Sequence, residues 1–437
     1  MLVIFAAMAA QLMQGCKDPP PAPPPPYASS VQLTLDDTGV TEAWLRLKFT
    51  DASLPRTFSL ERAGHTTLSG TLVGQDTLLV DTGMAPGASY TYKALRLIGT
   101  ARTDSSTPLQ ITTMDTPSHA ISWELDTLGD AYSGLNDIAI VNDTLAYAVG
   151  EMYLRDSTGQ FDPGRYNAAI WNGSGWSIRR FPYYYGGNPY INPIEGVYAF
   201  DVNDIWFVGN GVIRWTGTGY ITMPVPSSVW GNDRMDKIWG TSGDQLYIVG
   251  TNGSIAHFNA GTWQRVESGA SLDFHDIWGS RNGSGQWEIL AIASTSTPET
   301  QGCAIVRIDG NSSTAVSTSG LVVDIFSASF IPGRKYYIVG AGVFHKRLLS
   351  DPAWVEYPYG TVTYHGSSRV RGNSMNDVFV VGSFGEVVHF NGVSWHSYFE
   401  RYHLPNGAYS SLAVSDHLVI AVGDIGAYRG IALIGRR

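Results

Sequence analysis

The sequence predicts an all-β protein, a seven-bladed β-propeller preceded by a small β-sandwich, and three observations carry that expectation. A short apolar strand runs into a turn seven times, at Ala148-Val149-Gly150, Phe207-Val208-Gly209, Ile248-Val249-Gly250, Leu290-Ala291-Ile292, Ile338-Val339-Gly340, Val380-Val381-Gly382 and Ala421-Val422-Gly423. The ends of these runs lie about 59, 41, 42, 48, 42 and 41 residues apart, the range expected for four short strands per blade. Charged residues make up only 15% of the chain and glycine 49 of its 437 positions, which suits turn-dense sheets rather than helices.

The chain opens with an apolar stretch, residues 2–12, too short to span a bilayer and ending at Met13-Gln14-Gly15-Cys16. Lys17-Asp18 and a proline-rich segment, residues 19–26, follow. This arrangement resembles a bacterial lipoprotein signal. The resemblance implies removal of residues 1–15, acylation of Cys16, and an exported cell-envelope protein held by lipid at the outer membrane or cell surface. An ordinary cleaved signal and a leftover buried cysteine are the alternatives. Residues 16–29 then form a stiff linker, its prolines rising about 3 Å per residue. Cys303 is the one other cysteine; it precedes the apolar Ala304-Ile305-Val306 and reads as a packed, inert thiol rather than a nucleophile.

Residues 30–116 alternate apolar and polar positions without the later repeat, as in Val31-Gln32-Leu33-Thr34-Leu35 and Tyr90-Thr91-Tyr92-Lys93-Ala94-Leu95, a sandwich pattern. Met84-Ala85-Pro86-Gly87-Ala88-Ser89-Tyr90-Thr91-Tyr92 resembles the turn and tyrosine corner of a fibronectin type III domain, with Trp44 in the place of the core tryptophan. That resemblance implies a spacer or adhesive module and no chemistry.

Residues 118–437 carry the repeat. One unit reads Lys237-Ile238-Trp239-Gly240, then Gln245 to Gly250, then Ser254 to Asn259, then Thr262 to Val266, four runs rich in β-branched and aromatic residues. The glycine closing each Val-Gly pair is expected to allow a bend or a positive φ. The last unit ends after three strands, and a stray fourth lies upstream at Ala120-Ile121-Ser122-Trp123-Glu124-Leu125. Pairing that N-terminal strand with the C-terminal three would seal the ring and hide two edges. Trp123, Trp176, Trp263, Trp354 and Trp395 fall at one equivalent place per blade and are assigned to blade packing rather than sugar stacking.

Signatures such as Asn203-Asp204-Ile205-Trp206-Phe207-Val208-Gly209 and His389-Phe390-Asn391-Gly392-Val393-Ser394-Trp395 resemble the Trp-rich propeller repeats of secreted bacterial lipoproteins. Some relatives of such repeats go under the label of predicted glucosyltransferase, so a carbohydrate-active enzyme, a glycan hydrolase, lyase or transferase, is the alternative the resemblance implies. The residues lend that label little: no Asp-x-Asp pair, Gly-x-Ser-x-Gly elbow, His-Glu-x-x-His, phosphate loop or metal-binding cysteine pair occurs. No cofactor is therefore expected, and a net charge of −10 without Lys/Arg clusters argues against nucleic acid. Asp137, Asp204, Asp236, Asp276, Asp324 and Asp377 recur beside the inner strands and read as turn residues, with a cation-binding ring as the sharper alternative.

Departures from the repeat mark the candidate ligand face. The first blade carries inserts at 151–165 and at 182–190, and in a propeller these two kinds of connection emerge on the same face. Function concentrates in such loops, and their aromatics offer large contact area with a polar edge. The candidate residues are Tyr183, Tyr184, Tyr185, Tyr190, Trp230, Tyr359, Tyr364, His365, Tyr402 and His403. Ring closure is expected to bring the 183–190 insert beside Tyr402 and His403, and the fallback position for a site is the central channel at Trp239 and Trp278. The expected protein is a non-enzymatic, envelope-anchored binding or adhesion protein, monomeric, whose aromatic face takes a glycan or a protein; covering of blade ends is the competing role for those aromatics.

Overall fold

The computed structural model describes residues 29–295, 302–322, 324–426 and 429–437. The expected signal segment, Cys16 and the proline-rich stretch lie outside the described residues. Within the described residues the chain divides into two compact units, one built from 29–35, Leu45–Leu79 and Tyr90–Ile111, the other from Asp36–Trp44, Val80–Ser89 and Thr112–Arg437.

Two sheets occupy residues 31–112. One orders Val31–Thr38, Glu42–Phe49 and Asp76–Thr82; the other orders His65–Thr71, Thr57–Arg62, Ser89–Ile98 and Ala101–Ser105, with Leu109–Thr112 also paired to Ser89–Ile98. Their alternating sequence buries every second residue, including Leu45, Leu47 and Phe49 on one strand and Tyr92 and Ala94 on another, and Trp44 is fully buried.

The larger unit contains, among the described residues, seven antiparallel four-stranded sheets, six of which follow chain order from first to fourth strand. Sheets one to six span residues 134–179, 194–223, 235–265, 274–316, 325–356 and 367–397. Sheet seven orders Gly407–Val414, Leu418–Ile425, Arg429–Arg436 and then Ser122–Leu128, whose register runs from Gly430 opposite Leu128 to Arg436 opposite Ser122. The first strands touch in cyclic order, that of sheet seven returning to that of sheet one.

Packing explains why the second strands are unbroken apolar runs. In Leu246-Tyr247-Ile248-Val249, Leu246 and Ile248 enter a cluster shared with sheet two, while Tyr247 and Val249 enter one shared with sheet four. Successive side chains point to opposite faces, and both faces are buried, so no polar alternation survives. Similar clusters join each neighbouring pair, and Leu418, Ile420 and Val422 of sheet seven pack with Leu135, Ala146 and Trp171 of sheet one.

The Val-Gly glycines have a different cause from the one expected. Their φ values are not positive; a bulge in each first strand brings its backbone against them. A Cβ on Gly340 would lie 1.8 Å from the Asp324 carbonyl oxygen, and on Gly423 1.9 Å from that of Ala408. Close backbone approach excludes a side chain there. Sheet four holds Ala293 at the paired position, opposite Phe274.

Candidate functional site

The structure gathers part of the expected aromatic face into one array. Tyr359, 82% exposed, and Tyr364 meet edge to face at 6.1 Å, and the Tyr359 hydroxyl donates to the Tyr364 carbonyl at 3.0 Å. His365 lies 4.8 Å from Phe384 and 5.2 Å from Phe399, and Phe399 is 5.5 Å from the exposed His403. These residues come from the connections that join sheet five to six and six to seven, and from the turn between the second and third strands of sheet six. A cavity of about 110 Å³ beside them is lined by Val343, Tyr357, Tyr359, Tyr364 and His365 among others.

The array is held from below. Glu386, fully buried, accepts the backbone N–H groups of Tyr364 and His365, each at 2.9 Å, so one carboxylate pins the loop that carries both rings. The His365 Nδ1 is 3.3 Å from Glu386 Oε2, within ion-pairing distance but without hydrogen-bond geometry. Phe384 and Gly385 both have positive φ, 58° and 77°, in a tight turn closed by Glu386 N–H donating to Ser383 C=O. Asparagine or glycine would be the easy occupant of the first position, so a half-exposed phenylalanine there is displayed at a local conformational cost. Phe384 is also tied down: its N–H donates to Gly407 and its carbonyl accepts from Leu404.

Other candidates fall elsewhere. Tyr183–Tyr185 and Asn188–Tyr190 form a two-stranded hairpin after sheet one. Its Tyr184 N–H donates to Thr222 Oγ1 of sheet two at 2.9 Å, and the Tyr183 ring packs over Gly211, where a Cβ would lie 2.3 Å from it. Tyr184, Tyr185 and Tyr190 are exposed on this hairpin. Tyr402 turns inward instead, half-buried and 6.2 Å from Trp123. The expectation that the hairpin meets Tyr402 and His403 is therefore corrected. A connection from one sheet to the next lies over their shared junction, and the one–two and six–seven junctions are separated by the width of two sheets. Trp230 is corrected too: it is 3% exposed, its Nε1 donates to the Asp233 carbonyl at 2.6 Å, and it packs between sheets two and three.

The recurring aspartates are not turn residues at the positions that matter most. Opposite the residue that precedes each Val-Gly glycine or its equivalent, the seven first strands place Asp137, Gly196, Lys237, Asp276, Ser327, Arg369 and Ser411. Asp137 is completely buried, pairs with Lys237, and accepts from Ser411 Oγ at 2.7 Å and Val197 N–H at 2.9 Å. Asp276, also completely buried, takes a bidentate pair from Arg371 at 2.7 and 2.9 Å and a further contact from Arg369 at 2.9 Å. Burial is the largest influence and opposes ionisation of both, but it is outweighed by Lys237, Arg369 and the Ser411 hydroxyl together at Asp137, and by Arg371, Arg369 and Lys237 together at Asp276, so both carboxyls titrate below the usual range. Aligning the repeats on Val-Gly would have revealed this column, since its members sit at a constant register. Asp204 and Asp377 pair with Arg214 and Arg437 respectively. Among the described residues, no group of three His, Cys, Asp or Glu could hold a metal ion.

No known family profile matches the chain, and no curated protein is similar to it in sequence. Solved structures are similar in fold. YCF48 bound to D1 peptide superposes with a TM-score of 0.53 at 16% identity, covering 74% of this chain and 100% of that one. YCF48 from Cyanidioschyzon merolae gives 0.50 at 15% identity over 72% and 98%. The WD40 β-propeller domain of Doa1 gives 0.51 at 12% identity over 72% and 97%. With its repeated four-stranded sheets, the chain is thus an all-β protein with the fold of the YCF48 and WD40 propellers.

Proposed function

We propose that this protein is a non-enzymatic binding scaffold whose aromatic array takes an extended segment of another protein. The observation that carries the reading is the array itself: Tyr359, Tyr364, Phe384, Phe399 and His403 displayed together on three connections, fixed by a buried carboxylate rather than left to cover sheet ends. Both Glu386 oxygens are engaged by backbone N–H groups, which suits a positioning role and not acid–base work. A propeller of similar fold has been solved with a peptide bound, which makes a polypeptide the first ligand class to test.

In this reading the seven sheets form a seven-bladed propeller closed by Ser122–Leu128; the continuous register with Arg429–Arg436 and the packing of sheet seven on sheet one support it. Residues 30–116 act as a fibronectin type III-like spacer, and the acylated Cys16 anchors the protein, as a monomer, in the cell envelope. The test is a peptide array and a glycan array probed in parallel with the purified protein and with a Tyr359→Ala, Tyr364→Ala, Phe384→Asn variant. Peptide binding that the variant loses supports the proposal. Binding to glycans alone, or peptide binding that the variant keeps, overturns it.

A further inference from the structure

The first strands enclose a second site, at the end opposite the aromatic array. A cavity of about 190 Å³ is lined by six of the seven first strands, through Tyr198, Lys237, Trp239, Trp278, Arg371 and Ala413 among others. Most lining positions run one to three residues past the buried ring toward the turns that join first and second strands, whereas Phe384, Tyr359 and His403 lie on the other set of connections. Trp278, Ala199 and Val414 are only half-buried, so the cavity is not sealed.

Its charges do not balance. Lys237 is surrounded by Arg369, Asp137, Arg371 and Asp276, and Arg369 feels the same two carboxylates. Three cations thus share two carboxylates, all of them buried. Arg369 Nε has no acceptor, and the described contacts give the three-donor Lys237 ammonium one carboxylate partner. An unneutralised buried cation is costly, and an anion at Lys237 and Arg371 would remove the excess. The walls beside those groups are flat and apolar, with Trp278 stacked against the Arg371 guanidinium at 4.3 Å and Trp239 packed on Gly279. A cavity of about 150 Å³ accommodates benzene, so the space here admits one ring bearing a carboxylate.

We infer that this channel binds an aromatic monocarboxylate, its carboxylate at Lys237 and Arg371 and its ring against Trp239, Trp278 and Tyr198. The site goes beyond the proposed function and stands or falls apart from it, since it shares no residue with the aromatic array. Burial and then Arg369 push the Lys237 pKa down to about 8, so above that pH the channel can also settle its excess by releasing a proton. Anion binding at pH 9 should then restore that proton.

The experiment is calorimetric titration of the purified full chain with benzoate and with its neutral isostere benzamide, at pH 7 and pH 9. Benzoate should bind at least tenfold more tightly than benzamide, with proton uptake at pH 9. Ala413→Leu, which fills the cavity and leaves every charge in place, should weaken benzoate at least tenfold; so should Lys237→Met combined with Asp137→Asn, which removes the pair together. Acetyl-Gly-Phe, as free acid and as amide, tells a free small acid from a chain terminus. Equal affinity for benzoate and benzamide, unchanged affinity in Ala413→Leu, or no heat with either acid at millimolar concentration overturns the inference.

Discussion

Phe384 and Gly340 show two opposite uses of a constrained backbone. At φ 58°, Phe384 holds a large ring where a small polar residue would be easier, and the ring stays half-exposed in contact with His365. Phe384→Asn should therefore leave the melting temperature unchanged or slightly raised while weakening ligand binding, a combination that covering a blade end would not give. Gly340 is constrained by space: its missing Cβ is replaced by the Asp324 carbonyl oxygen. Gly340→Ala must push two strands apart and should cost about 2 kcal/mol or more, read as a lowered denaturant midpoint with unchanged slope. His119 makes a third prediction. Its Nδ1 is 2.9 Å from that of His389, and its ring lies tilted against His396 with centroids 5.0 Å apart. Burial first, then those two imidazoles, push its pKa down to about 4 from an ordinary 6.5. Between pH 6.5 and 4 the unfolded chain binds the proton that the folded chain refuses, so the stability present above pH 6.5 is lost as pH falls through that window. Melting temperature should drop from pH 7 to pH 4.5, and His119→Gln should flatten the drop.

Among elements, the strand Ser122–Leu128 has the largest leverage for its length. It pairs along its whole length with Arg429–Arg436, and its Asp126 accepts Trp176 Nε1 of sheet one at 3.1 Å while Glu124 pairs with Arg436 at 2.9 Å. Tyr398 Oη donates to the His119 carbonyl just ahead of it, tying the strand's approach to sheet six. Deleting residues 120–125 should expose a full strand edge and lower the melting temperature far more than removing residues 30–116 as a unit; equal effects would show that sheet seven does not depend on this strand. The hairpin Tyr183–Tyr190 is a lighter element. Gly211→Ala should dislodge Tyr183 and loosen the hairpin, read as faster amide exchange at Tyr184, with little change in the array at Tyr359.

At the scale of the whole molecule, stability comes from repetition. Each propeller-type sheet buries both faces only because neighbours cover them, so the apolar clusters between adjacent sheets carry the stability. Cys303, the free thiol among the described residues, packs half-buried beside Ile305 in sheet four, and burial raises its pKa, which favours the thiol over the thiolate. The proposed anchor belongs at this scale as well. Cys16→Ser should turn a lipid-labelled, membrane-fraction protein into an unlabelled and largely soluble one, whereas equal metabolic labelling of both would rule the anchor out.

The sequence by itself determined the repeat, the strand order within each sheet and the position of the leftover strand, because those depend on local alternation, turn residues and a period that survives in one dimension. It also marked Tyr359, Tyr364, His365 and His403 as candidate loop aromatics, and the structure brings these four into one array. Only the tertiary structure decided that Phe384 and Phe399 complete that array, that Tyr402 and Trp230 turn inward, and that the 183–190 hairpin lies beside sheet two. The buried ring of Asp137, Lys237, Asp276 and Arg369 was decided there as well. Each of those outcomes depends on which sheets face one another across a junction or a channel. Side chains more than a hundred residues apart, such as Asp137 and Ser411, share a register that the repeat marks, but which of them pair is settled only when the first strands are brought together.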